Sequence, residues 1–265
     1  MTEFTTTARG DRVAYDLYGS GPAIIFVAGA GPYRAVDPST TETAQQAAGH
    51  GVTALVFDRL GRGESDAEGA LTLERELDAI AALLDVVGGS AVLCGHSSGC
   101  SISLRAAADG LPVEGLALWE APLAGDAADT QAWSDHIEKL IDAGRLEGAK
   151  EHYMKDMPPE WLAGAKASPE WPEIAAGVVS TRADAQSMAW AIRGLERANL
   201  GDIRVPVLAM YGTETFGEMT TAAERIVRTL PDAVMKEMPG AQHSWEPEPM
   251  AAELAAFAKV SIAAR

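Results

Sequence analysis

Three patterns in the sequence predict an α/β fold, a mostly parallel sheet with helices on both faces. Strand-like and helix-like segments alternate from residue 12 to residue 119 and again from residue 205. Some of the strand-like segments are unbroken apolar runs, which suits strands covered on both faces. Finally, Gly95-His96-Ser97-Ser98-Gly99 joins an apolar run to a helical pattern, so a serine flanked by glycines stands at a strand-to-helix turn.

Arg12 to Tyr18 alternates like an exposed early strand and meets the turn Gly19-Ser20-Gly21-Pro22. Ala23 to Val27 is a continuous apolar run, the mark of a central strand. A modest helix over Thr40 to Gly49 and a strand over Thr53 to Phe57 come next. Leu73 to Val87 places apolar residues at 73, 77, 80, 83, 84 and 87, an amphipathic helix ended by Gly88-Gly89. Ser90 to Cys94 reads as a short buried strand, Ser98 to Ala108 carries Ala, Leu and Ile at helical spacing, and Val113 to Trp119 is another strand. Here the alternation stops. Glu120 to Ile203 holds only helical pieces, broken by Pro158-Pro159, Pro169 and Pro172. Val205 to Tyr211 resumes as a strand, followed by a helix over Thr220 to Leu230, a strand over Val234 to Met238 and a last helix over Pro249 to Ala264. The expected division is a core domain of residues 1–120 and 202–265, with a helical cap subdomain of residues 121–201 inserted in it.

Composition narrows the function classes. A chain of 265 residues suits one sizeable domain with an insertion. A net charge of −17, spread along the chain, repels phosphate backbones and anionic membranes, so neither nucleic acid nor a membrane is expected as partner. A small neutral or apolar substrate fits better, and monomer and homodimer both stay open. The N-terminal stretch has neither a basic leader nor an apolar segment, and the two cysteines, Cys94 and Cys100, make no disulfide framework; a reducing cytoplasm is the expected location. No His or Cys pairs sit at metal-ligand spacing, so no metal and no organic cofactor is expected.

Three motifs carry a likeness to a known family: Phe26-Val27-Ala28-Gly29-Ala30-Gly31 after the first central strand, Phe57-Asp58-Arg59-Leu60-Gly61-Arg62-Gly63-Glu64-Ser65, and Gly95 to Gly99. On these the chain resembles the α/β-hydrolase superfamily over essentially its whole length, with Gly95 to Gly99 as the nucleophile elbow. The resemblance implies an α/β-hydrolase fold and a triad in the chain order Ser, acid, His.

A serine hydroxyl is a poor nucleophile until a base takes its proton, and that base needs an orienting acid. Ser97 is the candidate nucleophile. Among five histidines, His50 precedes the elbow, His96 lies within it, and His136 and His152 sit among charged residues of the expected cap. His243 lies in a loop between the last strand and last helix, where the family keeps its base. Many members carry the acid as Gly-x-x-Asp after the strand that follows the cap, but Gly212-Thr213-Glu214-Thr215 puts a threonine there. The other position follows the strand after the elbow helix, and there Leu118-Trp119-Glu120-Ala121-Pro122 ends an apolar strand with a carboxylate. Burying that carboxylate costs several kcal/mol unless it is paired, and an imidazolium would be such a partner. Glu120 is therefore the expected acid, with Glu214 as the alternative; a glutamate at this position is similar to the zearalenone lactonase group. Backbone N–H groups of Ser98 and of the Gly29-Ala30 turn are the expected oxyanion donors.

Trp190 is the expected pocket residue. It falls about 200° from Met188 around its helix, off the Met188, Ile192 and Leu195 stripe, which suits a helix with one face over a cleft. Together these residues lead to the expectation of a serine hydrolase acting on a carboxylic ester or lactone. A cofactor-independent, cyclase-like catalyst and a small-molecule receptor on the same scaffold remain the alternatives.

Overall fold

The computed structural model describes residues 2–263. Its centre is a nine-stranded sheet, and the strands are, in chain order, β1 (Glu3–Thr6), β2 (Arg12–Gly19), β3 (Ala23–Val27), β4 (Thr53–Phe57), β5 (Ala91–His96), β6 (Val113–Trp119), β7 (Val207–Glu214), β8 (Ala233–Ala241) and β9 (Ser244–Trp245). In space the order is β1-β2-β4-β3-β5-β6-β7-β8-β9. The run β4-β3-β5-β6-β7-β8 is parallel; β1, β2 and β9 are antiparallel additions at the edges. The helices are α1 (Pro38–Gly49), α2 (Leu73–Val86), α3 (Gly99–Ala108), α4 (Ala127–Asp142), α5 (Leu146–Tyr153), α6 (Pro159–Ala167), α7 (Trp171–Ala176), α8 (Arg182–Glu196), α9 (Gly217–Thr229) and α10 (Pro247–Ala263). No helix among the described residues is long and apolar enough to cross a membrane.

Burial on two faces explains the apolar runs. Ile24 and Phe26 of β3, Val92 and Cys94 of β5, and Ala117 and Trp119 of β6 pack on one side with α1 and α10. Their neighbours Ile25, Val27, Leu93, Leu116 and Leu118 pack on the other, with α2, α3 and α8. Each fully buried Ile or Leu contributes about 1.5–3 kcal/mol, so neither face tolerates a polar residue cheaply.

The expected strand over 90–94 extends to His96, because Gly95 and His96 still pair with Leu118 and Trp119 of β6. The strand expected from Val205 begins only at Val207, after Pro206, and runs on to Glu214. β1 was not expected. The last residue of the expected final helix, Ala264, lies outside the described residues, as do Met1 and Arg265.

Between β6 and β7 the described chain contains five α-helices and a short 3-10 turn, Gly177–Thr181, and no strand. Part of this segment shares the core of the sheet. Ala183, Ala191, Ile192 and Leu195 of α8 belong to the cluster that covers the sheet, and α8 packs on α2, α3 and α4. Small clusters around Ile137 and Leu140 hold α4 and α5 together.

Candidate active site

The backbone itself marks the site. Five non-glycine residues among those described have positive φ, and four of them converge here: Ser97 at 54°, Glu120 at 45°, Gln242 at 52° and His243 at 70°. Each such residue costs on the order of 1 kcal/mol, and strain of this kind collects where side-chain direction matters. Ser97 follows β5 directly, and its N–H donates to the carbonyl of Trp119 at 2.9 Å. The flanking glycines are needed for space. A Cβ on Gly99 would lie 2.1 Å from the Val27 carbonyl oxygen, and one on Gly95 would lie 2.6 Å from the Cα of Cys100. Gly29 faces the serine so closely that its own Cβ would stand 2.9 Å from Ser97 Cβ and 3.5 Å from Oγ.

His243 sits in the tight turn between β8 and β9. Its carbonyl accepts hydrogen bonds from His96 Nε2 at 2.9 Å and from Trp119 Nε1 at 3.2 Å. Burial, reinforced by the adjacent His243, pushes the His96 pKa down to about 4, so at neutral pH His96 is an uncharged donor. The other ring, His243, presents Nδ1 to Glu120 Oε2 at 2.5 Å. Glu120 is buried where β6 ends, and its Oε1 accepts from the Gly212 N–H at 3.0 Å and from Thr215 Oγ1 at 2.6 Å. Burial alone would raise this carboxyl. The hydrogen bonds from His243, Thr215 and Gly212 outweigh it and hold Glu120 below the usual carboxylate range.

Of the expected site residues, the structure brings Glu120 to His243 and Gly29 to Ser97. Glu214 is exposed on β7 and pairs in the ladder with Ala241, leaving Glu120 as the carboxylate on the imidazole. No hydrogen bond joins Ser97 to His243 among the described residues; such bonds are often long until substrate is bound. The backbone N–H groups of Ser98 and Ala30 donate to no acceptor among the described residues. Asp58 ties its loop to the segment after β3, accepting from the backbone N–H of Glu64 and of Arg34. Among the described residues there is no group of three or more His, Cys, Asp or Glu that could hold a metal ion.

Trp190 requires a correction. Its ring lies over the guanidinium of Arg105, 5.2 Å from centroid to Cζ, and packs against the cluster that covers the sheet. Arg105 is near the far end of α3, six residues and about 9 Å along the helix axis from Gly99, where the helix leaves the Ser97 turn. The second buried face of α8 is thus turned to α3, not to a cleft. Trp190→Ala is expected to cost about 2 kcal/mol of stability and to change kcat/KM less than twofold, measured by thermal unfolding and ester hydrolysis. The aromatic face near the site comes instead from α4 and α5: Ala30 packs against the cluster of Ile137, Tyr153 and Ala185, together with Trp133 and Met157. Its signal in the sequence is the run of tryptophans Trp133, Trp161, Trp171 and Trp190 between residues 121 and 201. A second group was missed altogether, the buried ions Arg59, Arg62, Glu76 and Asp184.

A strained serine at a strand-to-helix turn, a carboxylate-bound imidazole and two amides without acceptors stand at the ends of strands in a mostly parallel sheet. Residues 24–257 match the model of the alpha/beta hydrolase family, so the chain belongs to that family and is a hydrolase. No curated protein matches it in sequence. Among solved structures it is similar to an alpha/beta hydrolase from Sphaerobacter thermophilus, at 29% identity and a TM-score of 0.75 over 96% of this chain and 99% of that one. It shares its fold with a thermophilic esterase from Thermogutta terrifontis, at 21% identity and TM-score 0.65 over 100% and 97% of the two chains. The esterase from Exiguobacterium antarcticum is alike at 17% and 0.64, over 98% and 100%.

Proposed function

We propose that this hydrolase cleaves a carboxylic ester or lactone through an acyl-enzyme on Ser97. The observation that carries the reading is the 2.5 Å contact between His243 Nδ1 and Glu120, at an elbow where Ser97 has φ of 54°. With Nδ1 bound to the carboxylate, Nε2 is the nitrogen left to take the Ser97 proton. Ser97 Oγ attacks the carbonyl carbon, the tetrahedral oxyanion is received by the Ser98 and Ala30 amides, and His243 returns the proton to the leaving alkoxide. A water deprotonated by His243 then attacks the acyl carbonyl and frees Ser97. Glu120 stays ionised throughout and stabilises the imidazolium.

Residues 121–201 act as the cap. The packing of Ala30 with Trp133, Tyr153 and Met157 supports an apolar or aromatic substrate, as does the overall negative charge. The fold shared with two esterases is consistent with an ester bond as target.

A fluorophosphonate probe tests the reading. It is expected to label the protein once, at Ser97, and to block hydrolysis of p-nitrophenyl esters and aryl lactones in proportion. A protein that hydrolyses neither class and resists the probe would instead be a receptor or a non-hydrolytic catalyst.

A further inference from the structure

Beside the Gly29 loop lies a fully buried ion cluster for which the reaction steps above have no role. Asp184, on the first turn of α8, pairs with Arg59 Nη1 at 2.6 Å and with Arg62 Nη2 at 3.0 Å. Arg59 Nη2 also stands 3.3 Å from Glu76 of α2. Two guanidiniums and two carboxylates balance, as burial demands of charges. Burial and the neighbouring Arg59 lower the Arg62 pKa to about 10, while the two arginines keep Asp184 ionised against its burial.

One nitrogen of each arginine also reaches backbone at the site. Arg59 Nη1 donates to the carbonyls of Ala28 at 3.1 Å and Gly29 at 3.3 Å. Arg62 Nη1 donates to the Gly29 carbonyl at 2.5 Å. Asp184 Oδ1 meanwhile accepts the Ser98 hydroxyl at 2.6 Å. One carboxylate on α8 therefore links the loop that carries Ala30 to the residue that follows Ser97. A peptide unit is planar and trans, so a Gly29 carbonyl held by a guanidinium fixes the Ala30 N–H on the opposite side.

We infer that Asp184 is a positioning residue for the oxyanion hole: through Arg59, Arg62 and the Ser98 hydroxyl it sets the direction of the Ala30 and Ser98 amides. The inference rests on the serine-hydrolase reading. Preorganised donors act on the tetrahedral state and hardly on the bound substrate, so loosening them lowers kcat and leaves KM nearly unchanged.

The test compares wild type with Asp184→Asn and Arg62→Lys. The lysine keeps the charge balance, and the fold with it, but cannot donate to Gly29 and Ser180 together as Arg62 does. Each variant is expected to lose about 10²-fold in kcat with KM within threefold, and a trifluoromethyl ketone, whose adduct carries the same oxyanion, is expected to weaken by a similar factor. Wild-type kcat and ketone affinity in Arg62→Lys, with only a lowered Tm in either variant, would overturn the inference and leave the hydrolase reading intact. A loss confined to KM would also overturn it. A wild type that reacts with neither the ketone nor the fluorophosphonate probe brings down both.

Discussion

Ser97→Gly and Ser97→Ala are both expected to reduce ester turnover by about four orders of magnitude or more, yet to differ from each other in stability. Ser97 holds φ of 54°, a conformation that alanine adopts at the same cost as serine and glycine adopts freely. Relief of that strain is worth on the order of 1 kcal/mol, partly offset by the greater freedom of glycine in the unfolded chain. The glycine variant should therefore unfold about 1–3 °C above the alanine variant. Calorimetry of the two inactive proteins is the measurement, and equal melting temperatures would show that the elbow is not strained. Residual turnover within tenfold of wild type in either variant would remove Ser97 as nucleophile.

The parallel strands were legible because burial on both faces leaves an unambiguous mark, as in Ala23–Val27 and Val113–Trp119. β1 was not, since Glu3, Phe4 and Thr6 are exposed and the strand gains its pairing only from β2. Glu120 could be found because a carboxylate that closes an apolar strand has to be matched by a cation or donors. Thr215 shows how the match is completed: at the position where many family members carry the acid, this chain has a hydroxyl that donates to Glu120. Trp190 illustrates a limit of periodicity. A helix with two buried faces announces both, but only packing decides that α3 rather than the cleft receives the second. Asp184 illustrates another. A lone aspartate in a helical stretch reads as a solvated group, and its partners Arg59 and Arg62 are more than 100 residues away in sequence.

Glu120→Gln is expected to lower kcat by about 10³–10⁴-fold with little change in KM, whereas Glu214→Gln is expected to leave both within twofold. The amide is nearly isosteric, so the backbone at φ of 45° and the bonds from Gly212 and Thr215 to the side-chain oxygen can persist. What changes is the group facing His243 Nδ1. A carboxylate only accepts there, which keeps the proton on Nδ1 and leaves Nε2 unprotonated toward Ser97. An amide can turn its NH2 to the ring, reverse the tautomer and lose the charge that stabilises the imidazolium. The same carboxylate gives the variant a signature in stability. Because Glu120 is held below its ordinary pKa, its contribution to folding is present above the unfolded value of about 4.5 and is lost as pH falls through the lower folded value. Melting temperature between pH 7 and pH 3 should therefore decline less steeply in Glu120→Gln than in the wild type. Thr215→Val removes one donor and so raises the folded-state Glu120 pKa toward its unfolded value, which narrows that pH window and makes the decline shallower than in the wild type. A Glu120→Gln protein with full turnover and an unchanged pH profile, beside an inactive Glu214→Gln, would transfer the acid role to β7.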